Sequence, residues 1–144
     1  MVQIYRNVRD DAYVSSGLAE KVTARDLGAV FFSPLRHGLL TGKYDRPTTF
    51  PEGDFRRNVP DFNDPEVLAG IRRATAAISE RFSGHPEPVL HALLGAILDD
   101  APSACAIVGL RNPEQVRAAA QVGDALGAED RDWVRSVFEA LTTS

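Results

Sequence analysis

Residues 30–44 read VFFSPLRHGLLTGKY, and this stretch decides how the rest of the chain is interpreted. The apolar run 30–32 is typical of a strand that is buried on both faces of a parallel sheet. Ser33 and Pro34 end that strand, and Gly38 and Gly42 mark a loop in which the backbone bends sharply. The stretch therefore predicts a buried parallel strand that runs into a glycine-bearing loop.

The rest of the chain alternates in the same way between short apolar runs and amphipathic stretches. Strands are predicted at residues 2–5, 29–33 and 104–108. Amphipathic spacing predicts about five helices, at 10–26, 65–82, 86–98, from 113 onward and at 129–141. Residues 34–62 form a long proline-bearing loop, and such loops are usually functional or disordered. We expect one α/β domain that covers residues 1–144.

Composition excludes several classes of function. Hydrophobic residues make up 44% of the chain and charged residues 25%, as in ordinary globular proteins. A formal net charge of −4 argues against non-specific nucleic-acid binding. No apolar run approaches the length of a membrane span, and no signal pattern opens the chain. The single cysteine, Cys105, lies in an apolar run and is expected to be buried. We expect a cytoplasmic protein with no membrane partner.

Three ordered motifs resemble the C-terminal half of the aldo-keto reductase family. Residues 30–44 look like the segment around that family's seventh strand, typically Y-S-P-L-x-x-G-L-L-T-G-K. Residues 107–116, IVGLRNPEQV, look like its eighth strand and the following helix, and residues 50–57, FPEGDFRR, look like its long loop. The resemblance implies a half TIM barrel, α/β, with three parallel strands. Residues 1–7 look like the sixth strand, so the half that carries the catalytic Asp, Tyr, Lys and His tetrad is expected to be absent.

The resemblance also implies which residues would hold a dinucleotide. These are Gln3 at the carboxamide, Phe32 against the nicotinamide, Ser33 and Leu35 in the pyrophosphate loop, and Gly109 and Gln115 after the last strand. Three further positions depart from the family: Leu110 replaces a residue that binds the 2′-phosphate, and Ala118 and Ala119 replace a pair that reads adenine. Each lost hydrogen bond costs roughly 1–3 kcal/mol. We therefore expect no bound cofactor. NADP is the alternative that the family resemblance implies.

A second set of residues suggests chemistry without hydride transfer. Histidine titrates near neutrality and arginine orients oxyanions, so Tyr5, Arg36 and His37 are the candidate catalytic residues. Phe32, Tyr44 and Arg56 are the candidate substrate-binding residues, and no metal-ligand spacing occurs. The leading hypothesis is a non-redox cyclase, isomerase or dehydratase that acts on a small, largely apolar, natural-product-like substrate. The alternatives are the cofactor-binding subunit of a split NADP-dependent reductase and a non-catalytic ligand-binding module.

Three parallel strands leave an open sheet. Its outer strands would expose unpaired backbone groups and apolar surface, which natural proteins cover. Symmetric homodimers are the commonest assembly of soluble chains. We therefore expect either a homodimer or a partner chain that supplies the missing barrel strands.

Overall fold

The computed structural model describes residues 1–139 and Leu141. Its sheet consists of three strands, β1 (Val2–Tyr5), β2 (Ala29–Phe32) and β3 (Ala104–Ala106), in that order. Both pairings are parallel, with Gln3 opposite Val30 and Val30 opposite Cys105. The strands lie where the sequence predicts them, although β2 and β3 end one and two residues early. The predicted partial barrel of parallel strands is confirmed.

Helices connect and cover the strands on one side. The described residues form six α-helices: α1 (Ala12–Ser15), α2 (Leu18–Ala24), α3 (Pro65–Arg81), α4 (Pro88–Leu98), α5 (Pro113–Ala120) and α6 (Ala128–Glu139). The sequence predicts about five because it joins α1 and α2 into one helix. Gly17 separates them with a φ of 71°, which lies in the left-handed region that a right-handed helix cannot contain.

The long loop after β2 is ordered by local turns and by a strong helix start. The loop contains three 3₁₀ segments, at Arg36–Thr41, Phe55–Asn58 and Pro60–Asn63. The loop ends at Asp64, whose carboxylate accepts hydrogen bonds from the backbone N–H groups of Glu66 and Val67 at 2.9 and 3.2 Å. This N-cap, with proline in the first turn, fixes the start of α3 as the sequence predicts.

The two faces of the sheet differ in burial. Ala29 and Phe31 point toward the helices and are buried, whereas Phe32 on the opposite face is 38% exposed. Side chains alternate between faces along a strand, so Cys105, which pairs with Val30, belongs to the open face. The prediction that Cys105 is buried is wrong, because the structure leaves this thiol exposed. Apolar neighbours in sequence do not specify which face of an edge strand is covered.

A buried arginine joins the sheet to two helices. The side chain of Arg6 follows β1, is fully buried, and lies between the rings of Tyr13 and Phe31, 4.8 Å from each centroid. Its guanidinium donates to the carbonyl of Ile97 at 2.8 Å and pairs with the carboxylates of Asp11 and Asp100. These contacts tie the end of β1 to the start of α1 and to the end of α4.

We expect Arg6→Met to lower the free energy of unfolding by about 1.5–3 kcal/mol, because Asp11 and Asp100 lose their buried partner and keep only their ion pairs with the partly exposed Arg135. Urea unfolding at pH 7, followed by circular dichroism, measures this loss. Arg25→Met is the matched control, since Arg25 is exposed at the end of α2 and should change stability by less than about 0.5 kcal/mol. Equal effects from the two variants would contradict the structural role of Arg6.

Candidate functional site

A cavity of about 830 Å³ lies beyond the C-terminal ends of β2 and β3. Ligand sites of α/β barrels form at this end of the strands, where the connecting loops converge. The walls come from the loop after β2, the loop around residues 53–56, the start of α4, residues 107–111 and one face of α5. The volume falls in the range of small-molecule and cofactor sites.

The loop after β2 has an unusual backbone where it borders the cavity. Ser33, Arg36 and His37 have positive φ values of 55°, 47° and 58°, although none of them is glycine. Such conformations are costly for residues with a side chain, and they concentrate at ligand and active sites. Buried Leu39 and Leu40 anchor the loop directly after this segment. The loop therefore has the strain expected of a binding segment.

Arg56 stabilises the cavity wall opposite the loop after β2. Its guanidinium forms two hydrogen bonds with Asp54, donates to the Tyr44 hydroxyl at 3.1 Å and lies 4.2 Å from the centroid of the Phe50 ring. The hydrogen bonds from Arg56 hold the pKa of Asp54 well below its usual range, and Asp54 in turn raises the pKa of Arg56. The two charges compensate each other, so this pair orders the wall and adds little net charge.

His37 is the titratable group of the cavity nearest to neutrality. Its ring keeps an exposed edge but packs 5.0 Å from the Phe55 ring. Desolvation, followed by the positive charges of Arg36 and Arg56, lowers the pKa of His37 below its ordinary value. The imidazole is therefore neutral at pH 7 and can accept a proton.

Two cations of the cavity have no carboxylate partner among the residues that the structure describes. Lys43 lies 5.1 Å from the centroid of the Tyr44 ring, and Arg111 follows β3 on the other wall. Neither forms an ion pair there, whereas Arg56 does. Apolar side chains, including Leu35 and Leu90, fill the space between the charged groups. This combination suits an anionic ligand that also has apolar or aromatic parts.

The structure brings together most of the residues that were expected to hold a dinucleotide. Ser33, Leu35, Gly109 and Gln115 all line the cavity. The Gln115 side chain accepts a hydrogen bond from the backbone N–H of Arg111 at 2.7 Å, which orders the turn before α5. Gln3 and Phe32 do not line the cavity. Both are exposed side chains of the sheet.

The candidate catalytic residues are not brought together. His37 lines the cavity, but Tyr5 packs its ring against Phe32 on the open sheet face, with 5.6 Å between the centroids. Arg36 pairs instead with Asp61 at 3.2 Å. Of the three candidate substrate-binding residues Phe32, Tyr44 and Arg56, only Arg56 contributes to the cavity wall, and Tyr44 lies behind it.

Sequence reasoning missed three charged residues of the cavity. These are Lys43, which lies in the motif at residues 30–44, Glu87, which lies in the predicted helix at 86–98, and Arg111, which lies in the motif at residues 107–116. Lys43 and Arg111 follow predicted strands closely, which is the signal that could have found them, because the loops after parallel strands meet at one end of a barrel. Glu87 gives no such signal.

Two further findings concern the described residues as a whole. No cluster of three or more histidine, cysteine or acidic side chains arranged to hold a metal ion occurs within residues 1–139 and Leu141. In the same part of the chain, no helix has the length and apolarity that crossing a membrane requires.

The arrangement of strands, loops and cavity corresponds to a known family. The family model described as "Aldo/keto reductase family" matches residues 1–135. The chain belongs to this family. Among curated relatives, the aldo-keto reductase str7 of Strobilurus tenacellus is 38% identical over 94 residues, and YhdN of Bacillus subtilis is 29% identical over 114 residues. These matches cover 62% and 76% of this chain but only 27% and 34% of the relatives.

A solved aldo/keto reductase structure reproduces the fold. The glycerol dehydrogenase AKR11B4 from Gluconobacter oxydans superimposes with a TM-score of 0.80 at 25% identity. The superposition covers 99% of this chain and 43% of that protein. The chain thus spans less than half of a related reductase and about a third or less of the two curated relatives.

The nicotinamide dinucleotide of this family fits the cavity in part. The cations Lys43 and Arg111, together with the polar Ser33 and Gln115, suit a diphosphate. Leu110 and Ala118 also line the cavity, and their side chains offer no hydrogen bond to a 2′-phosphate or to adenine. The fit is therefore good for the diphosphate and poor for the 2′-phosphate and the adenine.

We expect the pKa of His37 to be lower than the ordinary value of about 6.5 and to rise in Arg56→Gln, because this variant removes one of the cations that oppose protonation. Because folding lowers this pKa, the stability contributed by the neutral ring is present above about pH 6.5 and is lost as the pH falls through the folded pKa.

Two-dimensional NMR of the imidazole protons across a pH titration measures the His37 pKa directly. Arg25→Gln, at an exposed position outside the cavity, is the control and should leave the titration unchanged. A wild-type His37 that titrates above its ordinary value, or one that does not respond to Arg56→Gln, would contradict the electrostatic account of the cavity.

Proposed function

We propose that this aldo/keto reductase chain is a nicotinamide-dinucleotide-binding module that holds the diphosphate of its ligand in the cavity beyond β2 and β3. The observation that carries the proposal is the convergence of Ser33, Leu35, Gly109 and Gln115 on one cavity. The unpaired cations Lys43 and Arg111 supply the positive charge that a diphosphate needs.

Different residues contribute different interactions to diphosphate binding. Lys43 and Arg111 neutralise phosphate charge from two opposite walls, and the strained backbone at 33–38 shapes the floor between them. The Arg56–Asp54 ion pair stabilises the wall at residues 53–56. Because its two charges already compensate each other, this pair does not compete for phosphate. A bound nicotinamide dinucleotide supplies the hydride chemistry of the family. No residue of this sequence matches the family's catalytic tetrad, so carbonyl reduction would need catalytic groups from outside residues 1–144.

Binding is expected to be weak. Leu110 and Ala118 replace hydrogen-bonding groups, and each missing bond to a polar ligand group costs roughly 1–3 kcal/mol. Such losses move a micromolar dissociation constant toward the millimolar range.

A non-redox enzyme is the second candidate function, and His37 favours it. A neutral imidazole in a cavity beside the Phe55 ring is a competent general base. Because Tyr5 and Arg36 lie outside the cavity, this candidate now depends on His37 alone among the three proposed catalytic residues. A cyclisation, isomerisation or dehydration of a small, largely apolar substrate is the chemistry that it would serve.

Association through the open sheet face is part of the proposal. Phe32 is 38% exposed there, and β1 and β3 have unpaired outer edges in the described sheet. Apolar faces and free strand edges promote association with another chain. A homodimer would cover this face, and a chain that supplies further barrel strands is the alternative. A cytoplasmic location remains the expectation from sequence.

We expect NADPH to bind with a dissociation constant between about 10 µM and 1 mM, and the double variant Lys43→Ala/Arg111→Ala to weaken it at least about tenfold, because two charge-assisted contacts are removed. Titration of NADPH fluorescence at low salt gives both constants. The control is Arg25→Ala/Lys21→Ala, which removes the same charge from exposed positions of α2 and its end. Equal effects of the two double variants would contradict binding in this cavity.

We expect size-exclusion chromatography with light scattering to give about twice the 15.6 kDa monomer mass at micromolar concentrations. Phe32→Asp should shift the protein to monomer because it places a charge on the apolar face that association covers. Val14→Asp is the matched control, since Val14 is 47% exposed on α1, away from the sheet face. A wild-type monomer, or a dimer that survives Phe32→Asp, would rule out association through this face.

A further inference from the structure

The charges around the cavity match a diphosphate and no further phosphate. Among the described side chains that line it, Lys43, Arg56 and Arg111 are cationic and Asp54 and Glu87 are anionic. Asp54 is paired with Arg56, so these two cancel. Lys43 and Arg111 remain for the two negative charges of a diphosphate. Glu87 is then a carboxylate of the cavity with no ion-pair partner within residues 1–139 and Leu141.

The position of Glu87 is fixed by a stack of two histidines. The backbone N–H of Glu87 donates to Nδ1 of His85 at 3.0 Å. The His85 ring lies nearly parallel to the His91 ring, with 4.1 Å between centroids and 12° between planes. Nδ1 of His91 in turn donates to the carbonyl of Val122, beyond the end of α5. The start of α4 is thereby held against the segment that follows α5.

Glu87 differs in chemistry from the residues of the other cavity walls. Leu110 and Ala118 present only apolar groups to the cavity. Because Asp54 is engaged by Arg56, Glu87 is the carboxylate among the described lining residues that is left to accept hydrogen bonds from a ligand. A carboxylate accepts hydrogen bonds from two neighbouring hydroxyls, such as the 2′- and 3′-hydroxyls of a ribose. The same carboxylate repels a phosphate dianion.

We propose that Glu87 is a specificity-determining residue that makes the cavity prefer nucleotide diphosphates with free ribose hydroxyls, of the NAD(H) class, over those with a 2′-phosphate, of the NADP(H) class. This inference rests on the proposed function, since it concerns the same cavity and the same diphosphate contacts. It deepens that function because Glu87, the residue immediately before α4, assigns the class of ligand.

Parallel fluorescence titrations with NADH and NADPH at fixed ionic strength test the assignment. We expect wild type to bind NADH about five- to tenfold more tightly than NADPH, because one ligand gains hydrogen bonds to Glu87 and the other meets its charge. Glu87→Gln keeps the shape and removes the charge, so it should tighten NADPH, weaken NADH and bring the ratio close to one. Glu20→Gln, at an exposed position on α2, should leave the ratio unchanged.

The outcomes separate the two proposals. Tighter binding of NADPH than of NADH by wild type, or an unchanged ratio in Glu87→Gln, overturns the role of Glu87 while dinucleotide binding stands. Failure of both ligands to bind overturns the proposed function and this inference together. An unfolding midpoint of Glu87→Gln equal to that of wild type establishes that a changed ratio reflects the lost charge.

Discussion

The burial of Arg6 is the constraint on which the rest of the structure depends. A buried guanidinium is costly unless its charge is compensated, and Asp11, Asp100 and the carbonyl of Ile97 bind its two terminal nitrogens, whereas Nε has no partner among the described residues. Burial opposes ionisation of Asp100, yet the hydrogen bond and charge of Arg6 outweigh it and lower the pKa of Asp100. The cluster is therefore charged at neutral pH. It fixes where β1 ends relative to α1 and α4, and α4 carries one wall of the cavity.

The open sheet face and the cavity are two consequences of the same partial barrel. One face of the sheet packs on helices, with Phe31 buried, while Phe32 is left on the exposed face. The cavity lies at the strand ends, where loops rather than sheet residues form the walls, and so it can be built by these three strands alone. The cavity walls and the open sheet face are thus formed largely by different residues.

Much of the fold could be predicted because local signals agree with the tertiary arrangement. The apolar strand at 29–32 and the Asp64-Pro65 helix start act over a few residues, so sequence alone locates them. Cys105 and Glu87 could not be placed in this way. Whether a strand face is covered depends on residues far away in the chain, and the role of Glu87 depends on α5, the segment after it, and the loop after β2. The left-handed backbone of Arg36 and His37 likewise has no sequence signal, since neither residue favours it.

The predicted catalytic set failed to assemble for a reason that bears on function. Tyr5 is the last residue of β1, and Arg36 and His37 follow β2. Strand ends of a barrel share one rim, but sharing a rim does not bring side chains into one cavity. Arg36 pairs with Asp61, and Tyr5 packs on Phe32 across the sheet face. The residues that do converge are those suited to holding phosphate. Of the three predicted catalytic residues, only His37 lines the cavity.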